Sequence, residues 1–364
     1  MMSFLRIYLL LLLLPLFSCG SGSNSSSNSS SNSATPSVQP RYLLGGGYPF
    51  PDGYSALVAN NSAALVADTA HVAYIQLHWQ EAANPGGLNF FDALQAPVAS
   101  ARQQGLKVYV AFDPLTIDRS QLQLPSGLTG NFTSSTVQQA YLDTVSKVAS
   151  TYQPDYFILM VEANLYNGDA ASYAAYQQLY SQAYDAVRRA SASTKVAVSL
   201  TYLDVNNQNC FDASDRAKLG SDLAGFPKQD LFAVSVYPLC YMDPKNIPDS
   251  FLSDLGALSS QPLFISETGW PSQENGAGVN ESSQAAYFTN LQRATDYARN
   301  HGQNIVALNY IEVIDGSAQA CNLLLQSFPQ YAWWCSLGIR NPDGTPKLGY
   351  SAMKNWKQAL DSGN

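Results

Sequence analysis

Leu106-Lys107-Val108-Tyr109-Val110-Ala111-Phe112 is a short, almost wholly apolar run, rich in β-branched and aromatic residues. A strand with one face in water alternates polar and apolar residues, whereas one covered on both faces reads like this. Comparable runs recur at 42–46, 71–78, 155–161, 195–201, 230–236, 262–266 and 304–310, and the stretches between them have helical period. In Ser172–Ala190, the residues Tyr176, Leu179, Tyr180, Ala183 and Val187 form one apolar stripe. Asn280 or Ser282 caps a helix running through Tyr287 and Phe288. A last helix, around 349–360, carries Tyr350, Met353, Trp356 and Leu360 at helical spacing. Eight β/α alternations predict an α/β chain folded as a single (β/α)8 TIM barrel. The competing architecture is an open doubly wound sheet. Gly45-Gly46-Gly47, at the first strand end, lacks the GxGxxG spacing of a dinucleotide site and reads as a tight loop.

The chain has 364 residues, of which 46% are apolar, 12% aromatic and only 13% charged, with a formal net charge of −8. An acidic chain with no basic stripe is not a nucleic-acid binder. A weakly charged, tyrosine-rich surface suits neutral polar ligands such as sugars.

Residues 1–19 read as a targeting segment. Arg6 precedes an apolar run, Ile7 to Phe17, too short for a bilayer span of about 20 residues. The run ends in Leu16-Phe17-Ser18-Cys19, which resembles a bacterial lipobox in which Cys19 is lipidated. Residues 20–40 begin with a Ser/Asn tract that cannot bury apolar area and is expected to act as a flexible linker. The barrel then occupies 41–364. Gly20 after Cys19 favours anchoring in the outer over the inner membrane of a bacterial envelope. The remaining cysteines, Cys210, Cys240, Cys321 and Cys335, show no metal-ligand spacing, and with three histidines no metal site is expected. In an oxidising compartment two disulfides follow. Loop adjacency pairs Cys210 with Cys240, after strands five and six, and Cys321 with Cys335, after strand eight.

In a barrel of this kind the chemistry sits at the C-terminal strand ends. Those positions hold His78 and Trp79, Asp113, Glu162 with Asn164, Thr201 and Tyr202, Tyr237, Glu267 and Glu312. A carboxylate directly after the apolar run Tyr156–Val161 is costly to bury unless hydrogen-bonded or protonated. Glu267, after Pro262-Leu-Phe-Ile265-Ser266, has the same form. Glutamates on strands four and seven face each other across the mouth. Retaining glycoside hydrolysis needs such a pair, about 5–5.5 Å apart, one donating a proton and one attacking the anomeric carbon.

Ile265-Ser-Glu267-Thr-Gly-Trp270-Pro-Ser272 resembles the nucleophile signature of glycoside hydrolase family 17, the β-1,3-glucanases. Ala233-Val-Ser-Val-Tyr237-Pro238 and Gly338–Lys347 are similar to that family's sixth-strand segment and closing turn. The β-1,4-galactanases of family 53 share the layout. The resemblance implies a retaining hydrolase with Glu162 as acid/base and Glu267 as nucleophile, needing no cofactor or metal. It implies that Tyr237 supports Glu267, and it puts Glu312 near the site. The families place Asn immediately before the acid/base, where this chain has Val161; Asn164 is the candidate substitute for that contact with the sugar 2-hydroxyl. His78 is assigned to sugar binding, and Trp79, Tyr202 and Trp270 are assigned as ring-stacking platforms. Trp333-Trp334, in the loop after strand eight, cover the cleft or anchor that loop. The expected partners are a β-linked oligo- or polysaccharide, β-1,3-glucan first and β-1,4-galactan second, and a lipid membrane; the chain is read as a monomer. Two rival readings use the same residues: a catalytically silent glycan-binding lipoprotein and a glucan transglycosylase.

Overall fold

The computed structural model describes residues 39–48, 53–80, 90–166, 168–202, 213–273 and 279–363. The leader, Cys19 and Cys210 therefore lie outside the described residues, and the linker does too except for Gln39 and Pro40. Pro40–Asn364 forms one compact unit.

Strands and helices alternate along it. The strands are β1 (Leu43–Gly47), β2 (Val72–His78), β3 (Lys107–Asp113), β4 (Tyr156–Ile158), β5 (Lys195–Ala197), β6 (Ser199–Tyr202), β7 (Phe232–Val236), β8 (Leu263–Thr268) and β9 (Ile305–Tyr310). The main helices are α1 (Ala56–Ala67), α2 (Phe90–Gln103), α3 (Ser135–Tyr152), α4 (Ala170–Ala190), α5 (Ala213–Ala224), α6 (Phe251–Gly256), α7 (Glu281–Asn300), α8 (Ala318–Ser327) and α9 (Leu348–Asp361). Every strand pairing is parallel, in the order β5-β4-β3-β2-β1-β9-β8-β7-β6. The two ends of that order, β5 and β6, are consecutive pieces of one stretch of chain broken only at Val198. They are the fifth barrel strand in two halves, one pairing with β4 and the other with β7. The sheet thus returns on itself as a (β/α)8 barrel.

The double burial expected of the apolar runs has a clear geometry. Successive side chains point to opposite faces of a strand. On β2, Val72 and Tyr74 enter the layer that fills the barrel, while Ala73, Ile75, Leu77 and then Trp79 join the layer beneath the helices. On β3, Tyr109 and Ala111 face inward and Val108, Val110 and Phe112 outward. Helix α7 starts at a capping box, Asn280 accepting from the Ser283 amide while the Ser283 hydroxyl accepts from the Asn280 amide.

Two strand ends depart from regular alternation. The run expected to be a strand through Val161 is regular only to Ile158. Beyond it Leu159 still donates to Ala197 at 2.8 Å and Val161 to Phe112 at 3.2 Å, but Leu159 and Met160 both turn to the outer layer. On β8, Ile265 pairs with Val234 while Glu267 pairs with Ser235, so Ser266 is an extra residue.

Candidate active site

These two irregularities deliver the two glutamates. Strict alternation from the inward Phe264 would send Glu267 outward with Leu263 and Ile265. Because the bulge turns Ser266 toward Ser235, Glu267 comes next on the same inner side and Thr268 resumes the outward direction, its hydroxyl donating to the Val236 carbonyl at 2.6 Å. Glu162 follows the irregular end of β4 and adopts φ 49°, ψ 47°, a left-handed conformation unusual for a side chain larger than glycine. Its amide donates to Ser199 Oγ at 2.9 Å. Backbone held in such a region is characteristic of functional positions.

Both carboxyl groups are buried and held by hydrogen bonds. Tyr74 donates to Glu267 Oε1 at 2.9 Å and Tyr237 to Oε2 at 3.2 Å. Arg119 donates to Glu162 Oε2 through Nε at 3.2 Å and Nη2 at 3.0 Å. Through Nη1 the same guanidinium grips both oxygens of Asp113, at 2.8 and 2.6 Å. Gln76 completes the circuit, donating to Asp113 Oδ2 at 3.0 Å and lying 3.2 Å from the Tyr74 hydroxyl through Oε1. A continuous chain of contacts therefore runs Glu267–Tyr74–Gln76–Asp113–Arg119–Glu162 across the mouth. Arg119 is itself left-handed, with φ 60°.

Burial pushes Glu267 up to about 8, and the neighbouring charge of Glu162 adds to the shift; Arg119 and the Tyr74 hydrogen bond oppose it. Burial outweighs every other influence on Tyr74 and Tyr237, raising both well above the ordinary phenol value, so they stay protonated donors.

The remaining sequence candidates divide. His78 sits at the mouth, with Nδ1 3.9 Å from Asp113 Oδ2. Glu312 lies just beyond β9 and lines a small cavity with Tyr74, Gln76 and Trp334. Trp333 and Trp334 pack their rings 5.6 and 5.7 Å from that of Tyr237. Trp79, Trp270 and Tyr202, expected as ring-stacking platforms, do not face the cleft. Trp79 is fully buried among Phe112, Phe132 and Tyr141 under the helices, and its Nε1 donates to Thr144 on α3. Trp270, also fully buried, stacks on Tyr287 of α7. Tyr202 joins the same outer layer, its hydroxyl 3.4 Å from Asp215. Asn164 is also turned away, because its amide is consumed by Thr201 and Asp222. Val161 is buried within the barrel, so no polar group precedes Glu162.

Sequence reading passed over Arg119, Tyr74 and Gln76. Alternation along β2 carries the signal for two of them, since Tyr74, Gln76 and His78 share one face. Arg119 comes from the irregular segment after β3 and left no pattern to read. Cys321 is bonded to Cys335 across a Cα separation of 5.7 Å, joining α8 to the turn that carries the two tryptophans. Cys240 is also disulfide-bonded.

No family model matches the sequence, and no curated protein matches it. Solved structures do match in fold. The GH53 catalytic domain of Ignisphaera aggregans superposes with a TM-score of 0.59 at 13% identity, covering 87% of this chain and 97% of that one. GH5_18 of Bifidobacterium longum gives 0.62 at 16%, covering 87% and 79%. A fungal β-1,4-galactanase structure gives 0.58 at 14%, covering 80% and 90%.

Proposed function

We propose that this protein is a retaining glycoside hydrolase of a β-linked polysaccharide, with Glu267 as nucleophile and Glu162 as acid/base. The observation that carries the reading is the buried pair at the fourth and seventh barrel strand ends, joined by one hydrogen-bonded circuit. Glycosidase and galactanase names among the structural neighbours agree with it. β-1,3-Glucan is the first substrate on the resemblance of Ile265–Ser272 to family 17, and β-1,4-galactan the second.

The residues support a double displacement. Tyr74 and Tyr237 fix both oxygens of Glu267, so the carboxylate keeps one orientation as it attacks the anomeric carbon. Arg119 spends its two bonds to Glu162 on Oε2 alone, leaving Oε1 for the glycosidic oxygen. The pair works with a single proton, carried by Glu162 when the leaving group departs and returned when Glu162 draws a proton from water in the second step. Trp333 and Trp334, beside Tyr237, offer aromatic surface to a sugar ring.

Glu267→Gln should abolish reducing-end release from β-linked oligosaccharides while keeping the melting temperature within a few degrees. Glu162→Ala should be slow and partly rescued by azide on substrates with good leaving groups. Activity surviving Glu267→Gln would overturn the assignment. Val161 favours a second reading, a silent glycan binder, because it removes the usual contact with the 2-hydroxyl; binding of the same oligosaccharides without turnover in the wild type would establish it.

The apolar leader ending at Cys19 and the Ser/Asn tether support attachment to a bacterial envelope membrane. Cys19→Ala should move the protein from the membrane to the soluble fraction or stall its maturation. Unchanged membrane association would refute lipidation.

A further inference from the structure

Beside the catalytic circuit lies a cavity of about 50 Å³, walled by Gly47, Tyr48, Tyr54, Tyr74, Glu312 and Trp334. A water needs roughly 10–15 Å³ of such space, so the cavity takes a few non-hydrogen atoms, a substituent rather than a sugar ring. Gly47 keeps its wall open to the chain opposite, since a Cβ there would strike the Ile311 carbonyl. Among the described residues, Glu312 Oε2 is buried there with no hydrogen-bond partner. A buried carboxyl oxygen left unsatisfied costs about 1–3 kcal/mol, so such a group in a native structure calls for an explanation, a bound partner among them.

We propose that this cavity is a specificity pocket for the protonated amino group of a β-linked amino sugar, with Glu312 as its counter-ion. The proposal rests on the glycan reading above and extends it to a substrate class. Hydrogen bonding and charge together favour the amine. The Tyr54 hydroxyl gives its hydrogen to the Asp315 carbonyl at 2.8 Å, and Tyr74 gives its hydrogen to Glu267. Gln76 spends a donor on Asp113. The tyrosine oxygens and, once ionised, Glu312 offer the cavity acceptor lone pairs, against which the remaining donors are the second Gln76 N–H and the Trp334 indole N–H. A sugar hydroxyl brings one donor and two lone pairs, which would want donors; an ammonium brings three donors and no acceptor. The aromatic rings of Tyr48, Tyr54 and Trp334 also favour a cation.

The surrounding charge has the right sign. Asp315, the acid whose charge raises Glu312, pairs with the buried Lys347, which also donates to Ser272 and Gly338. Glu267 lies on the far side of Tyr74. Burial pushes Glu312 up to about 8, Asp315 adding to the shift and Lys347 opposing it. A bound ammonium supplies the missing positive charge, so binding at pH 7 expels the Glu312 proton to solvent.

The test is calorimetric titration of the wild-type protein at pH 7 with uncleavable thio-linked disaccharides of glucosamine, N-acetylglucosamine and glucose. Glucosamine should bind about tenfold tighter than either neutral sugar. Proton release should appear as a dependence of the heat on buffer ionisation enthalpy. Glu312→Gln should collapse the preference ratio. N-acetylation removes the charge without touching the protein, so the comparison stands even if the variant folds poorly. Equal affinity for amine and neutral sugars, or a preference that survives Glu312→Gln, would overturn the pocket. Reducing-end assays on the oxygen-linked sugars separate the two claims: turnover without amine preference leaves the hydrolase reading and removes the pocket, while amine preference without turnover does the reverse.

Discussion

Arg119 is the cation built into the catalytic circuit, and it serves two carboxylates at once. Its own burial disfavours the charge, but Asp113 and Glu162 outweigh that and raise its pKa above the ordinary guanidinium value. Its positive charge also lowers the pKa of Glu267. Removing it makes ionised Glu267 less favourable, so Arg119→Gln should move the acidic limb of kcat/KM to higher pH. The wild-type limb itself should lie in the neutral range rather than near the ordinary glutamate value. The variant should also lose roughly tenfold or more in rate, since a hydrogen bond to a charged group is worth about 1.5–3 kcal/mol. A pH–rate profile of the two proteins checks both effects; a limb that stays in place would separate Arg119 from the nucleophile. The limb reports an apparent value of the coupled pair rather than of either residue.

At the scale of elements, the segment after β9 is assembled by a disulfide. Helix α8 has no fully buried residue, so packing alone holds it loosely. The Cys321–Cys335 bond joins it to the turn where Trp333 and Trp334 lie against Tyr237 and, through Trp334, against the Glu312 cavity. The barrel does not need this bond, because its strands pair without it. Cys321→Ser with Cys335→Ser should therefore lower activity several-fold through KM while the main melting transition shifts little. Thermal melts and substrate titrations on one preparation would show this, and a collapse of the whole fold would contradict it.

At the scale of the molecule, the site makes the fold pay in alkali. Glu267 and Glu312 stand at about 8 against an ordinary 4.5, and Asp315 at about 6 against 3.8, burial being the largest cause each time. Between the unfolded and folded values the unfolded chain binds fewer protons than the native one, so stability falls as pH rises. Burial pushes Asp68 and Asp361 upward too, but hydrogen bonds, chiefly to Lys354 and Lys357, lower both, so their stabilisation is complete above the ordinary aspartate value and is lost only as pH falls below it. The melting temperature should accordingly drop by several degrees from pH 5 to pH 8. Glu267→Gln and Glu312→Gln should each flatten that slope; melts across the range give the answer directly.

The sequence by itself determined the barrel. Runs such as Leu106–Phe112, apolar on both faces, have no stable place except between a filled interior and a layer of helices, and all eight were legible for that reason. It also determined which glutamates end two of those runs. Only the tertiary structure decided where side chains point at the strand ends. Trp79 and Trp270 carry the chemistry of sugar platforms, but the period-two geometry of β2 and the turn after the β8 bulge send them beneath α3 and α7. One extra residue at Ser266 turns Glu267 inward, and a bulge depends on how three strands meet rather than on any local propensity. Arg119, bonded to Asp113, reaches Glu162 across 43 positions of sequence. Such a bond exists only once closure of the barrel has brought the ends of neighbouring strands side by side.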